Sequence, residues 1–220
     1  MHDLPTQLKL LVATTNAGKL REIQHELAAR QMAVALLGLR DIPPVPEAVE
    51  DQPTFIGNAI KKALHYAHHS GLLTLADDSG LCVDALNGAP GVYSARYAGP
   101  HADDAANNAK LLQALAHVPP ERRTGRFCCV MALAFPNNMV ALVTDQVEGV
   151  LLHAPRGAGG FGYDPLFFMP ELNCTTAELP IGKKSEISHR GKALRRMIPW
   201  IEMLPAAGAC LPARGAEVAP

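Results

Sequence analysis

An apolar, strand-like run over residues 8–14 breaks at Asn16, and beyond it the period changes, with Leu20, Ile23 and Leu27 at helical spacing. A strand that turns tightly into an amphipathic helix packs that helix on a sheet, so the fold class is read as α/β. The pattern repeats. After Pro43, Pro44 and Pro46, Thr54 can cap a second helix whose Ile56, Ile60, Ala63, Leu64 and Ala67 share a face, and Gly71 stops it. Residues 72–76 read as a buried strand running straight into a turn of Asp77, Asp78, Ser79 and Gly80. Two carboxylates then sit at a strand's carboxyl end, where open α/β sheets place their ligand sites.

A further helix is expected over residues 104–115. Two strands, 126–135 and 139–152, follow, joined at Pro136, Asn137 and Asn138. A glycine-rich loop, 156–162, leads into a short apolar run, 166–169. A last helix follows Ser188, with Leu194, Met197, Ile198 and Ile201 on one side; Pro199 should kink it or shift its start. The stretch from Pro205 onward lacks periodicity and is read as a disordered tail, which leaves one domain over residues 1–204 and the tail over 205–220.

With 48% hydrophobic and 19% charged residues, a 220-residue chain can bury a substantial core. Its 20 Lys plus Arg against 21 Asp plus Glu give a formal charge of -1, so no global field recruits nucleic acid or an anionic membrane. Any anion site must be local. No segment approaches the roughly 20 apolar residues of a membrane helix, and the N-terminal apolar stretch is too short for a signal peptide. The five cysteines (Cys82, Cys128, Cys129, Cys174, Cys210) form an odd set without a C-x-x-C pair. They are expected to be buried free thiols in a reducing compartment, and the protein cytoplasmic.

Four stretches carry side chains able to do chemistry. Thr14, Thr15, Asn16, Ala17, Gly18 and Lys19 combine a helix start, a permissive glycine and a cation, an anion cradle or simply a capped helix. It is not a Walker A loop, because Ala13 and Leu20 stand where that loop needs glycine and a hydroxyl. At Asp77, Asp78, Ser79 and Gly80 adjacent side chains point apart, so one carboxylate can hold a hard cation, with Glu50 as a second ligand; an Asx turn is the plain alternative. The loop from Arg156 to Asp164 contains a literal G-x-G-x-x-G, yet no strand leads from it into a helix, so its glycines bring backbone close to a ligand beside the Phe161 ring or form an ordinary surface loop. The cluster Lys183, Lys184, His189, Arg190 and Lys192 suits phosphate or a base edge rich in acceptors, or a solvated helix face. His65, His68 and His69 are read as surface histidines, not a zinc site.

Taken together, LLVATTNAGKLREI, TFIGNAIKKA, LADDSGLCVDALNGAPGVYSARYAG, GGFGYDPLFF and KKSEISHRGKAL, in that order, resemble the inosine triphosphate pyrophosphatase (Ham1) family over about residues 8–200. The resemblance implies an elongated mixed sheet with flanking helices, two lobes around a central cleft, and a homodimer. It implies hydrolysis of non-standard purine nucleoside triphosphates (ITP, dITP, XTP) to monophosphate and pyrophosphate, with Mg2+ as cofactor. Thr14, Thr15, Asn16, Ala17, Gly18 and Lys19 would hold the triphosphate. Glu50 and Asp78 would bind magnesium, with Asp78 also the proton acceptor, and Ser79 would touch substrate. Phe161, Gly162, Tyr163 and Asp164 would frame the base, with Lys184, His189 and Arg190 completing it, Arg190 satisfying the oxygen at C6. Two departures stand out: Gly57 replaces an acidic residue usual before the asparagine, and Asp51, Gln52 and Pro53 occupy a loop that commonly contains Thr-Gly. A pyrophosphatase for modified pyrimidine nucleotides and a non-catalytic purine nucleotide sensor are the competing readings.

Overall fold

The computed structural model describes residues 7–204; the expected tail at 205–220 and Cys210 lie outside the described residues. Seven strands form one mixed sheet in the order β2-β1-β3-β4-β5-β6-β7. The strands are β1 (Leu8–Val12), β2 (Val34–Gly38), β3 (Leu73–Val83), β4 (Thr124–Phe135), β5 (Asn138–Leu151), β6 (Phe167–Met169) and β7 (Cys174–Thr175). β1 runs parallel to both β2 and β3, and every later pairing is antiparallel. β2 had no sequence signal set apart from its helical neighbour.

Strand alternation divides the core. Leu10, Val12, Leu73, Leu75, Met131 and Leu133 face one side, where they pack on α1 (Ala17–Ala29) and α5 (His189–Glu202). Leu11, Ala13, Ala76, Val130, Ala132 and Ala134 face the other, where α2 (Phe55–Ser70) lies on them through Ala59, Ala63, Tyr66 and Ala67. A third cluster, including Leu81, Phe127, Leu151, Tyr163 and Phe167, fills the far end of the long strands with α3 (Asp104–Ala114).

The helix starts follow capping chemistry. Thr54 Oγ1 accepts from Gly57 N (3.1 Å), Ser188 Oγ from Gly191 N (3.1 Å), and Gly71, at φ 71°, closes α2 in the left-handed region that a Cβ disfavours. Pro199 neither shifts the start of α5 nor ends it: the helix begins at His189 and runs past the proline to Glu202.

Two expectations change. Asp77, Asp78, Ser79 and Gly80 are not a turn: β3 runs through them, paired without interruption to β4 from Thr74 to Val83. Gly80 is needed because a Cβ there would lie 2.6 Å from the Gly91 carbonyl oxygen, in the 3-10 turn Gly91–Arg96 that packs on the strand. Among the described cysteines, all free, only Cys129 is buried, while Cys82, Cys128 and Cys174 are half-buried.

Arg123, 1% exposed, joins α3 to β4 and β5 through three carbonyls: Nη1 donates to Leu115 O (2.7 Å), Nε to Leu151 O and Nη2 to Leu152 O (both 2.8 Å). Arg123→Ala leaves these acceptors without their donors and opens a cavity, so it should cost at least about 3 kcal/mol and lower the thermal midpoint by roughly 6–12 °C. A midpoint within about 2 °C of wild type, measured by circular dichroism, would show that water replaces the guanidinium freely.

Candidate active site

β3 outlasts its parallel neighbour. β1 ends at Val12, opposite Leu75, and the polypeptide turns away into α1, so Asp77 and Asp78 lie beyond the edge of the parallel segment, where Asp78 lines a cleft of about 690 Å³ and Asp77 is buried behind it. Because neighbouring strand residues face opposite ways, Asp77 joins the α1 and α5 side and Asp78 the α2 side.

At the start of α1, Asn16 Oδ1 accepts from Gly18 N (2.8 Å) and Lys19 N (3.0 Å). Two amides expected to be open to an anion are therefore spent on the cap. What remains for an anion is the helix dipole, the Thr14 and Thr15 hydroxyls and the Lys19 ammonium. Gly18 is buried against Phe161, whose ring occupies the space a Cβ would need.

On the α1 and α5 side, charges of alternating sign form a continuous line. Lys19 pairs with Asp77; Asp77 Oδ2 accepts from Arg190 Nε (3.1 Å); Arg190 Nη1 reaches Glu22 Oε2 (2.5 Å); Glu22 Oε1 meets Lys184 Nζ (2.7 Å); and Lys184 pairs with Asp164. Asp77 also accepts from Ser79 Oγ (3.2 Å) and Cys129 Sγ (3.1 Å), and Asp164 from Phe161 N (2.8 Å) and Thr176 Oγ1 (2.8 Å). Burial alone would raise the Asp77 pKa, but Arg190 and Lys19 outweigh it and hold the carboxyl far below its ordinary range. Glu22 is lowered for the same reason, with Arg190 and Lys184 overcoming its burial.

The α2 side is different. Asp78, 5% exposed, has a buried Oδ2 with no hydrogen-bond partner, and burial pushes its pKa up to about 6 against the pull of Lys19 and Lys62. Glu50 lies close enough to add to that rise; it pairs with Lys62, and Arg96 binds its carbonyl (Nη2 to O, 3.0 Å). Lys62 Nζ also donates to Asp77 O (3.1 Å). A hard divalent cation fits this donor set, since it would supply the partner that Asp78 Oδ2 lacks and offset the repulsion from Glu50. Gly57 and Gln52, the two departures from the family pattern, meet here: a Cβ on Gly57 would sit 2.8 Å from Gln52 Cβ. The missing side chain makes room for Gln52 in the loop after Glu50.

The structure gathers Thr14, Thr15, Asn16, Lys19, Glu50, Asp78, Ser79, Phe161, Gly162, Tyr163, Asp164, Lys184, His189 and Arg190 around one cleft; Ala17 and Gly18 are not on its wall. The basic cluster is split: Lys184, His189 and Arg190 are buried, while Lys183 is exposed and Lys192 half-buried. Arg190 is not a free donor, since its Nε, Nη1 and Nη2 donate to Asp77, Glu22 and Ser79 (2.7 Å). Tyr163 packs in the core and donates to Ser94 O (2.8 Å), and Asp164 fixes its own loop. His189 stacks on Phe127 (centroids 4.9 Å apart, 14° between planes), its Nδ1 is buried without a partner, and burial with the neighbouring Arg190 charge keeps its ring neutral. Sequence reasoning missed Glu22, Lys62, Arg96 and Asp104. Lys62 and Glu22 sit at helical spacing among apolar residues, a pattern that also describes an ordinary solvated position.

A sequence model of the Ham1 family matches residues 10–200. A protein named dITP/XTP pyrophosphatase from Desulforamulus reducens is 52% identical over 197 residues, covering 90% of this chain and 97% of its own, and one of the same name from Geobacter sulfurreducens is 54% identical over 186 residues (84% and 92%). Among solved structures, a HAM1 protein from Coxiella burnetii superposes with a TM-score of 0.78 at 39% identity (90% of this chain, 100% of that one). A nucleoside-triphosphatase/dITP/XTP pyrophosphatase from Mycobacterium abscessus gives 0.69 at 42% identity (88% and 100%).

The two faces of β3 make opposite contributions to stability against pH. Asp77 and Glu22, lowered from ordinary values of 3.8 and 4.5, add stability that is complete above those values and lost as pH falls through the lower folded ones. Asp78, raised to about 6, adds stability only when protonated and loses it as pH rises through that value. His189, held neutral below its ordinary value of 6.5, adds stability as pH rises toward that value and offsets Asp78, so the Asp78 contribution is read as a difference. In chelator-containing buffer the thermal midpoint should collapse below about pH 4, and the gain of Asp78→Asn over wild type should grow from about pH 4 to about pH 6 and then level off. A difference between Asp78→Asn and wild type that stays constant from about pH 4 to about pH 8 would show that Asp78 carries no burial penalty.

Proposed function

The chain belongs to the Ham1 family, and on that premise we propose that it hydrolyses non-standard purine nucleoside triphosphates, namely dITP, XTP and ITP, to the monophosphate and pyrophosphate. What carries the reading is the division of labour across β3: a carboxylate pair suited to a cation on one side, and on the other a charge network running to an aromatic wall. A triphosphate next to Asp78 would find Lys19, Lys62 and Arg96 around it, while Phe161, Phe127 and His189 offer the apolar faces a purine ring needs.

Glu50 and Asp78 would hold magnesium, which when bound would supply neutralisation of phosphate charge. Asp78 orients the attacking water and takes its proton, and Lys19 and the α1 dipole stabilise the departing pyrophosphate. No further cofactor is required. At the base end, Arg190 spends three of its five N–H groups on the protein; on this reading the other two would donate to a C6 oxygen, which the amino group of adenine could not replace as an acceptor. Free half-buried thiols support a reducing, cytoplasmic setting, and no described helix is long and apolar enough to cross a membrane. The homodimer is carried over from the family resemblance, to be read by light scattering.

Purified protein with magnesium should release pyrophosphate from ITP and XTP far faster than from ATP or pyrimidine triphosphates. Nucleotide binding without turnover would instead support a sensor. Asp78→Asn should lower turnover by at least about 10²-fold with the fold intact. Near-wild-type release across magnesium concentrations would remove Asp78 from catalysis. Lys19→Ala should weaken ITP and XTP by similar factors, because it serves the phosphates; a change in their ratio would move Lys19 to the base.

A further inference from the structure

The loop that carries Phe161 is held from two directions. From the protein interior, Asp164 Oδ2 accepts from Phe161 N, and Gly159 N donates to Ala177 O (3.0 Å). From across the cleft, α3 takes both backbone polar groups of a single residue: Gly162 N donates to Asp104 Oδ2 (2.6 Å), and Gly162 O accepts from Asn108 Nδ2 (2.8 Å). Asp104 and Asn108 are four apart and so share a helix face. Gly162 has φ 61°, a conformation that turns its amide and carbonyl toward the helix and that a side chain would resist.

A clamp must itself be fixed, and Asn107 does this. It is 3% exposed; its Oδ1 accepts from Ala98 N (2.8 Å) and its Nδ2 donates to Ala95 O (3.2 Å), which ties α3 to the turn bearing Arg96. Asp103, the N-cap, accepts from Ala106 N (2.8 Å) and holds the first turn in register. The base-side loop is thereby referenced to the turn at the phosphate end, independently of the buried charges behind it.

We propose that Asp104 and Asn108 are positioning residues, which act through Gly162 to hold the Phe161 loop at the spacing a purine base requires. This rests on the proposed hydrolysis. Neither side chain needs to touch substrate, and Asp104 serves as a hydrogen-bond acceptor, a task its amide could also perform. An ordinary hydrogen bond of this kind biases a loop by about fivefold, so losing it should weaken binding of the base while leaving the reacting phosphates in place.

The test compares full-length wild type, Asp104→Ala, Asp104→Asn and Asn108→Ala. In Asp104→Ala the Gly162 amide should exchange with deuterium at least about fivefold faster, and KM for ITP should rise by about fivefold with kcat within about threefold. Asn108→Ala should move both in the same direction, and Asp104→Asn should restore both to near wild type. Unchanged Gly162 exchange in Asp104→Ala would overturn the proposal. So would a fall in kcat at constant KM, or an Asp104→Asn variant as impaired as the alanine. A wild-type protein that releases no pyrophosphate would remove the proposed reaction instead, and the exchange comparison would still decide whether Asp104 holds the loop.

Discussion

The cleft depends on the line of six charges from Lys19 to Asp164. Three cations and three anions alternate, and apart from Lys19 their side chains are at most 10% exposed. Such a line has a large desolvation cost, which mutual attraction and hydrogen bonds offset only while every member is present. Removing one leaves its neighbours as buried uncompensated charges. The arrangement therefore acts as a specification of geometry more than a source of stability: it fixes α1, β3, α4 (Ile181–Ile187), α5 and the Phe161 loop relative to one another. Ser185 with Glu26, and Arg195 with the Ser185 carbonyl (2.8 Å), extend the same fastening on its outer side.

Much of this was legible from local sequence. Capping residues Asn16, Thr54 and Ser188, and the stop at Gly71, are short-range signals, and the helices begin and end where they indicate. The resemblance spans nearly the whole chain, and the structure brings fourteen of its sixteen candidate residues to one cleft. Local reasoning failed where an outcome depends on partners distant in sequence. Asp77, Asp78 and Ser79 look like a turn, and only pairing with β4 makes them strand. Lys184 and Arg190 look solvated, and only Glu22, more than 160 residues earlier, shows why they are buried. Lys62 and Arg96 lie within the segments TFIGNAIKKA and LADDSGLCVDALNGAPGVYSARYAG, yet what singles them out is convergence on Glu50, which no one-dimensional spacing encodes.

The departure at Gly57 follows the same logic. Taken alone, it removes a charge near the expected cation site. In the structure it is one half of an exchange, since the volume it vacates is filled by Gln52, whose N–H is held by Asn58 Oδ1 (2.9 Å). The loop presenting Glu50 keeps its anchors, Arg96 on the carbonyl and Lys62 on the carboxylate. A position that departs from its family's pattern is best interpreted together with whatever occupies its space.

The distribution of unspent charge then sets how a nucleotide can lie. At the base end, Lys184 and Asp164 neutralise each other and Arg190 is bound to Glu22 and Asp77, so what this wall offers a ligand is mainly the Phe161 ring, with Lys184 (4.9 Å) and Arg190 (5.5 Å) against it. At the other end, Asp78 has an oxygen without a partner, and Lys62 and Arg96 share one carboxylate between them. A polyanion reversed in the cleft would put phosphates against cations already paired and a purine against a charged, poorly compensated pocket, unfavourable at both ends. On the proposed hydrolysis, the ion pairs that the protein has already completed would set the orientation, and the reacting phosphorus would meet Asp78, on the part of β3 that runs past the end of β1.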